Sequence, residues 1–129
     1  MPRKYTYWIS TAFLSLLYLA SATLYATQAD TIRQALASLG YPGYLVPVLM
    51  VAKVLGVVAI LSRVNVALSN LAYAGMFYHL LLSFSAHINV GDGAGSVPAV
   101  IGLGLLIASF LTQNSARAKQ SPYPPIAVG

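Results

Sequence analysis

The chain has 129 residues, 58% of them hydrophobic and 7% charged, with seven Lys and Arg against two acids and no cysteine. A water-soluble domain carries roughly 25% charged residues, so the composition excludes one and leaves the bilayer as solvent. At about 20 apolar residues per crossing, the length accommodates four spans and no soluble domain beside them. The missing cysteines exclude a disulfide framework and thiolate-held iron–sulfur or zinc centres. The net charge of +5 is scattered singly at the ends of apolar runs, a topology signal rather than a nucleic-acid-binding face.

From Tyr5 to about Thr27 the chain carries no charge, long enough for a first span. Arg3, Lys4 and the small-residue triplet Ala20-Ser21-Ala22 also fit a signal peptide. The apolar run, however, is longer than a usual signal core and continues past the would-be cut. Residues 30–39 place Ile32, Leu36 and Leu39 at i, i+4 and i+7 with Asp30 as an N-cap, and Gly40 and Pro42 stop the helix. Ten residues cannot span; they predict an amphipathic helix on the membrane surface, with Tyr41 and Tyr44 as headgroup anchors.

The second span runs from about 44 to 62, with Pro47 in its first turn and a small-residue stripe Ala52, Gly56 and Ala59. A short turn at Arg63-Val64-Asn65 makes it an antiparallel hairpin with the third span, 66–87. The loop 89–96 is rich in glycine, and its Gly91 and Gly95 lie outside any span, so a helix-dimerisation reading fails there. The fourth span is 97–113, with Gly104 and Ala108 as a close-packing edge; 114–129 reads as a polar, proline-rich tail.

The fold class expected is therefore all-α: one integral membrane domain, a four-helix bundle with a short surface helix between spans one and two. Arg3, Lys4, Arg63, Arg117 and Lys119 collect at one side, so the positive-inside rule makes both termini cytoplasmic.

Lys53 is the most informative residue. It lies about 15 Å along its helix from Arg63, near mid-bilayer, where a lysine costs roughly 2.5–3.5 kcal/mol on the permissive insertion scale. Three readings stay open: it snorkels, it stays uncharged in a pocket, or it meets a bound anion or polar ligand group. Depth arithmetic brings His79 and Tyr18 to a similar level; Tyr78 shares it but points about 100° away from His79. Lys53 and His79 with Tyr18 or Tyr78 form a candidate polar cluster, against the plainer reading of packing by interhelical hydrogen bonds.

No carboxylate lies in a span, which removes paired-acid catalysis, a carboxylate proton wire and a retinal-type counter-ion. His79 and His87 are about 12 Å apart along one helix, so they cannot grip opposite faces of one haem. His87, Asn89 and Asp92 offer a cation ligands at the outer surface, although such loops are ordinarily plain turns. Tyr5, Tyr7, Trp8, Tyr25, Tyr41 and Tyr44 fall near span ends as an interfacial belt.

Three blocks, Met50 to Leu61, Asn70 to Phe77 and Ser85 to Asp92, with Leu39-Gly40-Tyr41-Pro42 before them, resemble the DoxX-like family of small four-span membrane proteins. The resemblance aligns Lys53 with the family's span-two lysine, and His87 and Gly91-Asp92 with its His and Gly-Asp pair. Two positions that are often acidic in the family hold Ser69-Asn70-Leu71 and Tyr78-His79 here, so two partners for Lys53 are absent. It implies a fold more than an activity, in a family named for a subunit linked to quinone-dependent oxidation, with distant relatives that chaperone receptor assembly.

The function expected first is an accessory subunit that binds an apolar ligand with a polar head, a quinone for example, or a partner in a redox-linked membrane assembly. Lys53, His79, Tyr18 and Tyr78 are its candidate ligand-binding residues. Two other readings stand beside it: an intramembrane enzyme acting on a lipid or isoprenoid, and a membrane-protein assembly factor; the partners expected are other membrane proteins or further copies of the chain in a homo-oligomer. The lack of a separable targeting segment, with the resemblance, points to a prokaryotic plasma membrane.

Overall fold

The computed structural model describes residues 2–124, and every regular element among them is helical. Four helices are long and apolar enough to cross a membrane: α1 (Pro2–Thr27), α3 (Leu45–Ser62), α4 (Val66–Asn89) and α5 (Val97–Ala116). The ten-residue α2 (Ala29–Ser38) connects α1 to α3, and one 3-10 turn, Ala94–Ser96, leads into α5. Some hydroxyls within the spans close onto their own helices, as Thr23 does onto the Leu19 carbonyl at 2.8 Å and Thr112 onto Ala108 at 2.6 Å. Water cannot satisfy them at that depth, so the backbone does.

Around the bundle the order is α1, α3, α4, α5. Each helix packs on two neighbours, and the diagonal pairs α1/α4 and α3/α5 make no close backbone approach. Leu14, Tyr18, Val57, Ile60, Met76, Leu80 and Leu106 form the core between them. Only 22–33% of each apolar stretch is buried, and Phe13, Leu16, Leu55, Leu82 and Ile101 point outward. An apolar face of that extent is stable against acyl chains or partner helices, not against water.

Ile32 and Leu39 of the expected stripe are half-buried and Leu36 is buried. Gly40 adopts φ 90, and the Gly40 and Tyr41 amides donate back to the Ala37 and Leu36 carbonyls at 3.0 and 2.9 Å. This is the glycine-terminated stop that a helix end needs to satisfy its last carbonyls. Asp30 does not cap α2. The N-cap is Gln28, without a side-chain bond, and Asp30 sits in the first turn paired with Arg33 at 2.9 Å. The helix begins at Ala29, one residue before the expected start and three before the apolar stripe, which carries Asp30 inside it.

Two further expectations are corrected. Gly104 is not a close-packing edge, because a Cβ there would meet nothing within 4 Å; Gly102 is, with Leu80 and Leu17 at 2.9 and 3.3 Å from the same position. At 100° per residue, Gly102, Leu106 and Ser109 share the inward face and Gly104 turns away from it. Nor does the polar segment behave as a linker from residue 114. Helix α5 continues to Ala116, Gln113 and Asn114 are buried, and residues 117–124 fold back under the bundle. The Asn114 amide donates to the Ser121 carbonyl at 2.8 Å and its oxygen accepts from the Ser121 amide at 2.6 Å. Polar side chains there find partners on the helix ends, so they fold onto them. Residues 125–129 of the expected tail lie outside the described residues.

Candidate functional site

Lys53 points into the bundle and is 7% exposed. Its ammonium lies 5.0 Å from the centroid of the Tyr18 ring and 5.1 Å from that of Tyr25. Tyr18 and Tyr25 are seven residues apart, two helical turns, and so project from one face of α1. Their ring faces carry the negative end of the aromatic quadrupole, which stabilises a cation by about 2 kcal/mol when it is desolvated. Among the described residues the ammonium has no hydrogen-bond acceptor and no acid.

The Tyr18 hydroxyl meets His79 Nδ1 at 3.0 Å. This bond crosses the diagonal between α1 and α4, whose backbones stay apart. When the phenol donates to Nδ1, the other ring nitrogen carries the proton and is a donor. Lys53, His79 and Tyr18 thus come together, as the depth arithmetic expects. Tyr78 does not join them: it is 64% exposed and stacks edge-on with Phe77, ring centroids 5.6 Å apart.

The three clustered residues line a cleft of about 460 Å³ between α3 and α4. The small residues explain its shape. At Gly56 a Cβ would stand 2.9 Å from the Met76 methyl, so the two helices meet there. At Gly75 a Cβ would meet nothing within 4 Å, and with Ala52 and Ala72 this leaves a gap that larger side chains would fill. The cleft is open to the lipid side along exposed Leu55, Leu68 and Leu71. Its walls are apolar apart from the polar cluster, the usual composition of a small-molecule site.

His87 and Asp92 lie at the end of the bundle away from Arg63. His87 Nδ1 is 3.0 Å from Asp92 Oδ2, and the Gly95 amide donates to Asp92 Oδ1 at 3.0 Å. These two contacts, the amide first, hold the Asp92 carboxyl below the ordinary carboxylate range. A Cβ on Gly95 would run into the Asp92 carboxylate and the His87 ring, so a larger residue there displaces the pair. Asn89 has no part in it, and among the described residues no three His, Cys, Asp or Glu side chains gather as metal ligands.

Sequence reasoning assigns Tyr25 only to the interfacial belt; its i, i+7 spacing from Tyr18 is the signal that could have placed it beside Lys53. The polar network at the opposite end of the bundle is also not anticipated. Arg63, 3% exposed and at φ 48, donates from Nε to the Lys119 carbonyl at 2.9 Å and from Nη1 to Gln113 Oε1 at 2.7 Å. Arg117 donates to the Tyr7 hydroxyl at 3.0 Å and the Leu61 carbonyl at 2.9 Å. Burial pulls the Arg63 guanidinium below its ordinary value, and the charge of Arg117 acts in the same direction. Deeper in, Tyr73, Ser109 and Thr11 form a hydroxyl chain with two contacts of 2.6 Å. The acceptors lie 36 to 98 residues from their partners in sequence, beyond any local pattern.

Four apolar spans in one bundle, with a polar cluster set inside it, define an integral membrane helical protein. The chain belongs to the DoxX-like family, whose family model matches residues 9–110. That stretch runs through all four spans. No curated protein and no solved structure matches it.

Proposed function

We propose that this protein is an accessory subunit of a redox-linked membrane assembly, and that the cleft between α3 and α4 binds an apolar ligand with a hydrogen-bond-accepting head, a quinone being the class that fits. The observation that carries this reading is Lys53: a buried residue on the wall of an apolar cleft, whose ammonium has no acceptor among the described residues. A buried cation costs free energy unless something pairs with it, and a ligand carbonyl supplies the missing acceptor. His79 offers a second donor, while Tyr18 orients the imidazole. The apolar walls take the ring and tail.

The test is a titration of the detergent-solubilised protein with a short-tailed benzoquinone, followed calorimetrically. Wild-type protein binds one equivalent in the cleft. Lys53→Met weakens binding about tenfold or more, the usual worth of a hydrogen bond to a charged group. Gly75→Leu fills the vacant space on α4 and abolishes binding without disturbing the fold. Unchanged affinity in a folded Lys53→Met variant overturns the proposal, as does binding that survives Gly75→Leu.

A further inference from the structure

A second, larger groove of about 800 Å³ lies on the other side of α4, between α4 and α5. On α4 it extends from Val66 to Tyr78, about 18 Å at 1.5 Å per residue, which is the length scale of an extended acyl chain. Leu71, Phe77, Leu106, Ile107 and Phe110 make its walls apolar. Its foot is closed by Pro122 and Tyr123 of the folded-back segment, with Asn70 beside them.

Among the described residues the charge at this end has no acid paired with it. Arg63, Arg117 and Lys119 direct their donors at carbonyl, amide and hydroxyl oxygens only. Asp30 and Asp92, the only acids of the chain, belong to the connections at the opposite end of the bundle. Lys119 is the most accessible of the three. Its ammonium donates to the Arg63 and Val64 carbonyls at 3.2 Å each, which leaves one of its three protons free. Lys119 does not line the groove itself, but its ammonium is held on the Val64 carbonyl, two residues before the groove-lining Val66, and Pro122 follows it by three, so the charge adjoins the groove's foot along the chain.

We propose that this groove is a specific site for an anionic phospholipid, with one acyl chain along α4 and α5 and the phosphate held by Lys119 over the Arg63 and Arg117 charges. An apolar channel whose foot adjoins cations complements an amphiphile with a negative head; a zwitterionic lipid brings its own cation and gains less. A parallel second copy of the chain is disfavoured as occupant, since it would bring the same positive charge to the same level. Basic pockets between spans are an established means of lipid headgroup recognition.

The experiment is native mass spectrometry of the full chain released from vesicles of equimolar phosphatidylglycerol and phosphatidylcholine with identical acyl chains. One phosphatidylglycerol per chain is retained in preference to phosphatidylcholine, by about fivefold or more. Lys119→Gln lowers that preference about fivefold, whereas Lys4→Gln, on α1, which contributes no residue to the groove, preserves it. Ala74→Trp, at an exposed position on the groove wall, removes retention of both lipids. Equal retention of the two lipids by wild-type protein overturns the proposal whether or not any variant folds. A Lys4→Gln loss as large as that of Lys119→Gln overturns it too, because the effect is then a general surface charge. Phosphatidylglycerol retention that persists in Ala74→Trp places the lipid elsewhere.

Discussion

At the level of single residues, two side chains at opposite levels of the bundle show what one position can do. Lys53 is legible in the sequence because it is the only charge inside a span, whereas its inward direction, one of three readings the sequence leaves open, is given by the packed bundle. What the sequence does not disclose is the second ring. Tyr25 sits near a span end, where an interfacial role already accounts for it, and only the packed geometry turns it toward the ammonium. Asp92 is the other case. Its carboxyl is stabilised in the ionised form by the Gly95 amide and His87, so the turn is fully held above the carboxylate range of an unfolded chain. The hold is lost as pH falls through the lower folded value. The Gly95 amide resonance is therefore expected to move with a midpoint below that of aspartate in an unstructured peptide; a midpoint at or above that reference shows that the amide bond does not favour the anion.

Whole helices were easier to read than the contacts between them. The bounds of all four spans and of α2 agree with apolar run length and stripe to within a few residues, because hydropathy and periodicity are local properties. The α3/α4 connection shows the limit. Its shortness is evident, yet the left-handed Arg63 at its corner and the guanidinium's grip on Gln113 and Lys119 depend on residues 50 and 56 positions away. Arg63→Ala removes those bonds and keeps a side chain in a left-handed conformation, so it lowers thermal stability in detergent by about 2–3 kcal/mol. Arg63→Gly loses the same bonds but relaxes the backbone, and its loss is smaller by about 1 kcal/mol. Equal melting temperatures for the two variants show that the corner stores no backbone strain.

For the molecule as a whole, the distribution of charge is the organising fact. Five cations sit at the end that holds the start of α1, the end of α5 and the α3/α4 turn; the other end holds Arg33 and both acids. We propose that the cation-rich end faces the cytoplasm of a prokaryotic cell, as the positive-inside rule directs. The absence of native cysteine makes this measurable with single substitutions. Gly93→Cys, in an exposed loop where a Cβ has open space, reacts with a membrane-impermeant thiol reagent in intact cells. Lys4→Cys reacts only after lysis. The reverse pattern inverts the orientation.

The ammonium between the two tyrosine rings has one more consequence. A charge fixed part-way through the membrane lies within the electric field across it, where complete passage of one charge corresponds to about 2.3 kcal/mol per 100 mV. Energised and resting membranes therefore hold Lys53 at different energies, and any binding event in the cleft that shifts the ammonium along the field or changes its protonation depends on voltage.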